Sequence, residues 1–489
     1  MSGLSTPSAL LQASPAIVVG SGLAGLSAAS QLIFHHVPVV MLDRAPKPGG
    51  NSIKASSGIN GAPTRFQPCD TEDTAFYTDT VVSAGRPLSS STSTERLRRE
   101  QLIATLTQSS PSAVYWLTDD NAIDLSKVAQ LGGHSHPRTH RGAGKKPPGS
   151  AIITTLLDSL TRDPLFELRT QAKVTKVLRE ADEVTGVEYK SPGTDPNATT
   201  RLSGPVVFAT GGFAGDAQGM MMRYRPDLAG LPSTNDAREG SQPLLEQVGA
   251  AVVDMDQVQV HPTGFVDPAD PAAPVKFLAA EALRGEGGIL LLEDGKRFAN
   301  ELGNREQVTN ALMKAASRLE TPTRQWEVTL LLDEGAATAL AAHLEFYVWK
   351  GLMRKTTVGE LGKTGCQTVC QTVQEYADAA AGRTEDAFGR KAFGNWSLGD
   401  VQSDSVVYVG KVTPVTHFTM GGVVFNEYSQ VLDQSGGVIR GLWAAGEVTG
   451  GLHGQNRLGG SSLLECVVFG RIAGNAAAAF HQKHYKTVP

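Results

Sequence analysis

The sequence predicts an α/β protein: a parallel sheet flanked by helices and interrupted by an inserted α+β domain. Three observations predict it. Four apolar residues, Ala16 to Val19, run into a glycine-rich turn and then a helix-forming segment. Two more apolar strands, over 205–212 and 438–446, lie on either side of a long stretch of different character. At 489 residues the chain also exceeds a single core, which calls for two domains or one with a large insertion.

The first element is the most specific. Gly20-Ser21-Gly22-Leu23-Ala24-Gly25 follows the strand at once and opens a helix at 26–32. In this strand–turn–helix context G-x-G-x-x-G predicts dinucleotide binding. Gly20 allows the tight turn, Gly22 lets backbone approach a pyrophosphate, and Gly25 lets helix pack on strand. The helix N-terminus then offers unpaired N–H groups and its positive dipole end to the phosphates. A second strand, over 37–42, ends at Asp43, 23 positions after Gly20, where an acid grips a ribose hydroxyl. Arg44 stands beside it.

Residues 48–61 are mostly small, too small to build a core, and suit a cofactor's pyrophosphate and ring edge. Helical spacing over 74–82, 97–109 and 112–117 predicts packing elements. The segment Gly132 to Arg141 is rich in His and Arg, yet no Cys or carboxylate lies close, so no metal site is expected. A helix follows over 149–160, then strands over 166–168, 172–178 and 184–189, with a Pro- and Gly-bearing loop over 191–200. The buried strand 205–212 ends in Thr210-Gly211-Gly212, and a helix is expected over 244–249. From Asp254 the character changes: a strand is expected over 289–292, and helical patterns dominate to about residue 380. After 438–446 comes a second small-residue helix entry, Gly459 to Ser462, whose helix is expected to run to Ala473.

Composition sets outer bounds. Apolar content of 40% and charged content of 19% fit an ordinary globular protein. A net charge of −5 with no basic block argues against nucleic acid as a partner. The four cysteines, Cys69, Cys366, Cys370 and Cys466, form no zinc or C-x-x-C spacing, which fits a reducing compartment. Cys366 and Cys370 read as two thiols on one helix face. No apolar run reaches the ~18 residues of a membrane span. The N-terminus lacks a secretory pattern and is poor in Arg, so a cytoplasmic protein is expected, with a mitochondrial pool left open. Asn197-Ala-Thr is a glycosylation sequon by pattern only.

The stretch GGNSIKASSGING after a dinucleotide fold resembles the flavoproteins of the fumarate reductase and succinate dehydrogenase superfamily. The resemblance runs from residue 16 to about 474. It implies a Rossmann-like FAD-binding domain over 14–257 and 415–489, interrupted by an α+β capping domain over 258–414. In the membrane-bound branch a histidine in this region carries the flavin; 49–61 contains none, so non-covalent FAD is implied. The cofactor-binding residues implied are Gly20, Ser21, Gly22, Leu23 and Ala24 in the turn, Asp43 and Arg44, then Gly50, Asn51, Ser52, Ser56, Ser57 and Gly58. Val174, Thr210, Gly211 and Gly212 belong to the adenine half, and Gly446, Glu447, His453, Arg457, Gly460, Ser462 and Leu463 to the C-terminal return. One departure stands out. Members of the superfamily carry Gly-Asp-Gly ahead of a helix, where this chain has Arg238-Glu239-Gly240-Ser241. Either Glu239 or Asp236 substitutes, or one FAD contact is lost.

Six polar residues remain. His261, Glu281, Arg284, Arg305, His417 and Arg457 each have a bland reading alone, as a capped loop residue, an i,i+3 ion pair or a solvated charge. Together and in this order they resemble the soluble, haem-free fumarate reductases of the superfamily. The resemblance implies that Arg457, His417, Gly460 and His261 hold a small dicarboxylate and that Arg305 donates a proton, resupplied through Glu281 and Arg284. Arg suits a carboxylate because its planar fork binds both oxygens. No C-x-x-C-H haem site is present, so electrons are expected from an external reduced flavin or another donor, and a monomer is expected. Ala280 stands where relatives often carry a hydroxyl. That keeps a urocanate-type reductase and an aspartate oxidase as alternatives; a respiratory flavoprotein subunit is a separate one, against which the missing flavin-linking histidine argues, and an inactive flavin binder is the blandest.

Overall fold

The computed structural model describes residues 14–68, 73–144, 146–192, 198–361 and 366–485. Its main sheet has nine strands. The parallel part runs Phe166–Arg169, Val39–Leu42, Ala16–Val19, Val206–Phe208, Val438–Ala444 and Glu183–Lys190. Strand Lys173–Glu180 pairs antiparallel at the end, Thr200–Ser203 pairs with Glu183–Lys190, and Gln430–Leu432 pairs with Val438–Ala444. The central strands are apolar along their length because both faces are covered. Register places Ile17 opposite Val206 and Val40, so successive apolar rows stack across the sheet.

Helix Leu23–Phe34 crosses one face against the long final helix, Ser461–His484. The close fit at its start depends on Gly25, where a Cβ would stand 2.0 Å from the carbonyl oxygen of Gly20. The final helix is the one described helix long and apolar enough to cross a membrane, and it is mostly buried against this core. It continues past Ala473, since nothing in Asn475 to Phe480 stops a helix and four of those residues are alanine.

A second sheet, antiparallel, rises from the middle of the chain. It joins Val258–Phe265, Val406–Thr419, Val328–Asp333 and Ile289–Leu291, with Arg354–Thr357 paired alongside. Strands Val328–Asp333 and Arg354–Thr357 correct the expectation of helices through this stretch. A short apolar run such as Val328 to Leu332 carries no period that separates strand from buried helix. The strand Val406–Thr419 runs through the expected junction at 414 and carries chain from one sheet toward the other. Other boundaries move by a few residues. The first strand is Ala16–Val19 as expected, the second begins at Val39 instead of 37, the strand at 206 stops at Phe208, and the short helix is Gln242–Glu246 instead of 244–249. The packing helices are Phe76–Ser89, Ser93–Gln108 and Ser110–Tyr115. Cys69, Asn197 and the side chain of Cys366 lie outside the described residues.

Candidate active site

Between the two sheets lies a cleft of two connected cavities, about 660 Å³ and about 1250 Å³, which share walls at Asn51, Ser52, Glu447 and Cys466. The smaller is built on the glycine turn. Gly20 to Ala24, Asp43, Arg44, Gly50, Val174, Thr210, Gly211 and Gly446 border it. Asp43 is 9% exposed and already engaged. One carboxylate oxygen accepts the Ser21 N–H (2.9 Å) and the Ser21 hydroxyl, the other the Ala45 N–H (2.8 Å). Around the same cavity stand Arg44, Arg238 and Lys173, a cationic set suited to a pyrophosphate. Of the two acids proposed in place of Gly-Asp-Gly, Glu239 borders this cavity and pairs with Lys173 at 2.7 Å. Asp236 faces the larger one and pairs with Lys54.

The larger cavity is bordered by Ser56, Ser57, Gly58, Gly460, Ser462 and Leu463, and by Arg305, His417 and Arg457. Gly212 and His453 stand behind the wall. Gly212 is packed against Thr419 and Glu447, while His453 Nε2 is 2.7 Å from Glu465 Oε2. The cleft has the features a dinucleotide needs. A Cβ on Gly22 would meet nothing closer than 3.6 Å, so backbone is bared toward the cavity. Asn51 Oδ1, Glu465 Oε1 and Arg457 Nε are buried without a hydrogen-bond partner among the described residues and border the same space. Buried polar atoms left this way cost stability unless a ligand meets them.

The cationic end is assembled from two strands, two helices and a loop. Strand Val258–Phe265 puts Gln259 and His261 on one face, because strand side chains alternate. Helix Glu281–Gly285 brings Glu281 and Arg284, and helix Arg305–Ala315 begins on Arg305. His417 comes from the long strand Val406–Thr419, and Arg457 from the loop before the final helix. Arg305 gives Nε and Nη2 to Glu281 Oε2 at 2.7 and 2.5 Å, and Nη1 to Gln259 Oε1 at 2.6 Å. The second oxygen of Glu281 accepts the Gly132 N–H at 3.0 Å. Gln259 in turn donates to Asn456 Oδ1 and the Arg457 carbonyl, tying both arginines to one amide. Sequence reasoning missed Gln259. Its signal was the i,i+2 spacing to His261 on a strand.

His261 and His417 meet edge to face with ring centroids 5.4 Å apart. His261 Nδ1 lies 3.2 Å from both the Thr263 N–H nitrogen and the Thr263 carbonyl oxygen, and Nε2 is buried without a partner among the described residues. His417 Nδ1 is held by Thr234 at 2.9 Å. Burial, then the neighbouring Arg305, lowers both imidazoles well below their ordinary range, so both rings are neutral donors. The Arg457 guanidinium lies 4.3 Å over the Phe418 ring, and burial lowers it to about 9. Arg284 is lowered by burial to about 10; its Nη1 donates to the Glu301 carbonyl, while Nε and Nη2 have no partner among the described residues. Glu281 goes the other way: Arg305 and Arg284 outweigh burial and hold it at about 2, a carboxylate throughout the neutral range. Glu281, Arg284 and His261 form a layer directly behind the cavity wall. Arg305, His417 and Arg457 form the wall itself.

A strand–glycine–helix cleft with a cationic end of this kind defines a flavoprotein oxidoreductase, and the chain belongs to the FAD binding domain family, whose sequence profile matches residues 16–463. The cofactor is FAD. Within that family the chain is 42% identical over 482 residues to a fumarate reductase of Schizosaccharomyces pombe, covering 95% of this chain and 89% of the relative. It is 41% identical over 485 residues to fumarate reductase 1 of Saccharomyces cerevisiae, covering 95% and 98%. A solved open conformation of a flavocytochrome c3 fumarate reductase superimposes with a TM-score of 0.71 at 30% identity, over 95% of this chain and 78% of that one.

Proposed function

We propose that this protein reduces fumarate to succinate with non-covalently held FAD, and that Arg305, His417, Arg457, His261 and the Gly460 N–H bind the substrate. The observation that carries this reading is the meeting of Arg305, His417 and Arg457 on one wall of the FAD cleft, with His261 and Glu281 directly behind. Two guanidiniums and two neutral imidazole donors suit a dianion, because each carboxylate finds a charge-assisted partner without four like charges crowding one pocket.

Bound FAD, when reduced, supplies the hydride. As negative charge builds on the far carbon and its carboxylate, the fixed, buried cations of the wall stabilise it. Arg305 donates the proton. A guanidinium ordinarily never releases one, so the donation depends on the surrounding cations of Arg284 and Arg457 and on Glu281, which holds two of the three Arg305 nitrogens and receives the replacement proton. Arg284, buried and partly unpaired among the described residues, completes the relay toward Glu281. The electrons come from an external reduced flavin or another diffusible donor, and the protein works as a cytoplasmic monomer.

The deciding experiment is anaerobic mixing of the photoreduced holoprotein with fumarate, urocanate or aspartate-derived iminoaspartate. Fumarate should restore the oxidised flavin spectrum in the mixing experiment while the other two leave it bleached. Restoration by urocanate and not by fumarate overturns the reading. Acid precipitation of the same holoprotein should leave all the flavin in the supernatant.

A further inference from the structure

The His- and Arg-rich segment after Gly132 supplies side chains that the proposed reaction does not use. Arg138 is fully buried. Its Nε and Nη2 meet Asp73 at 2.6 and 2.8 Å, and its Nη1 meets Asp79 at 2.6 Å. The same Nη1 lies 2.8 Å from Nδ1 of His134, which is also buried. An arginine can only donate, so His134 Nδ1 is the acceptor and the ring proton sits on Nε2. That nitrogen is 2.9 Å from the carbonyl oxygen of Gly459, and Asn60 Nδ2 donates to the same oxygen at 2.7 Å. One tautomer of one imidazole is therefore fixed from behind and spent on a single backbone carbonyl.

What that carbonyl controls is the peptide it belongs to. The Gly459–Gly460 bond is trans, so its N–H points opposite its C=O. With the oxygen held in the shell of His134 and Asn60, the Gly460 N–H faces away from that shell, on the side where Gly460 borders the cleft beside Arg457. Gly460 has φ of 80°, a conformation that a side chain would strain, and a Cβ there would meet Asn60 Oδ1 at 2.3 Å. Among the described residues the Gly460 N–H has no acceptor. Two donors on the carbonyl also polarise the peptide and strengthen its N–H as a donor.

We propose that His134, locked by Arg138 with Asp73 and Asp79, is a positioning residue that aims and polarises the Gly460 N–H as a donor to one carboxylate of the bound dicarboxylate. This rests on the reading of the cleft as a dicarboxylate site. His134 touches neither substrate nor cofactor; it acts through one peptide.

The test is equilibrium titration of the oxidised holoprotein with succinate, followed by the shift in flavin absorbance, for the wild type, His134→Ala and His134→Gln. The glutamine keeps an N–H near the position of Nε2. His134→Ala should weaken succinate by about tenfold, raise the KM for fumarate more than it lowers kcat, and leave FAD content unchanged. His134→Gln should recover most of the affinity. Wild-type affinity in His134→Ala overturns the proposal. Should the alanine variant fail to retain FAD, the glutamine variant decides: tight succinate binding supports the proposal, and loss equal to a disrupted fold, with lowered thermal midpoint and no recovery, overturns it. If the wild type itself binds no succinate or fumarate, the dicarboxylate reading falls first and this inference with it.

Discussion

Arg305 is the residue on which the chemistry turns, and its surroundings say what a substitution would do. Three of its bonds go to two partners, Glu281 and Gln259, in a geometry only a planar fork can satisfy. A lysine reaches one of these acceptors as a point charge. Arg305→Ala should therefore keep its FAD and lose fumarate turnover by a factor of about 10³ or more, within the upper range for removing a general acid. Arg305→Lys should recover little of it. Flavin content by absorbance and anaerobic turnover with a reduced-flavin donor check both. Turnover within tenfold of the wild type in Arg305→Ala would assign the proton to another group. At this scale the sequence was partly legible. His261, Arg305, His417 and Arg457 could be picked out because they sit in motifs, but Gln259 and His134 could not. A lone amide or imidazole has meaning only through its partners, and those lie as far off in sequence as Arg457 and Gly459.

Helix Arg305–Ala315 shows how an element sets a side chain. Asn304 accepts the Gln307 N–H at 2.9 Å and Gln307 Oε1 accepts the Asn304 N–H at 3.0 Å, a capping box that satisfies two otherwise unpaired donors. Arg305 is the first residue inside that cap, so the box fixes the backbone from which the guanidinium reaches the cleft. Asn304→Ala should cost about 1 kcal/mol of stability and lower kcat severalfold at unchanged FAD affinity, while Asn304→Ser, which keeps an acceptor, should restore both. Thermal midpoint and steady-state turnover are the measurements, and an unchanged kcat in Asn304→Ala would separate the cap from the site. Elements of this local kind were readable in advance. The strand, glycine turn and helix at 16–34 needed only neighbouring residues, and so did the helix entry at 461. Strands Val328–Asp333 and Arg354–Thr357 were not readable, because their pairing with Val406–Thr419 comes from residues that follow much later in the chain. Tertiary pairing overrode a locally helical pattern.

For the whole molecule, the order of the main sheet is the least legible feature: Val438–Ala444 enters between Val206–Phe208 and Glu183–Lys190, a pairing that no local pattern encodes. That assembly buries an unusual set of titratable groups, and their balance fixes how stability responds to pH. Burial lowers His134 and His140 to about 4, and His261 and His417 well below their ordinary value. Between those values and about 6.5 the unfolded chain binds protons that the folded protein refuses, so each histidine removes stability as pH falls. Glu447 has the opposite sign. Burial raises it to about 7, so the folded state keeps a proton that the unfolded state has released, and acidification through this window adds stability. From pH 7 to pH 5, His134 and His140 together cost about 4 kcal/mol and Glu447 returns about 2 kcal/mol. The two active-site histidines act in the direction of loss, so the sum is a loss. Glu281, held at about 2, adds its own loss only below its ordinary carboxylate range. The flavin-free protein should therefore have a lower thermal midpoint at pH 5 than at pH 7, and Glu447→Gln should widen the gap by removing the one large opposing contribution. A midpoint that holds steady or rises on acidification would mean that the imidazoles of the cleft are charged in the folded state, and a dianion would then meet four cations there instead of two.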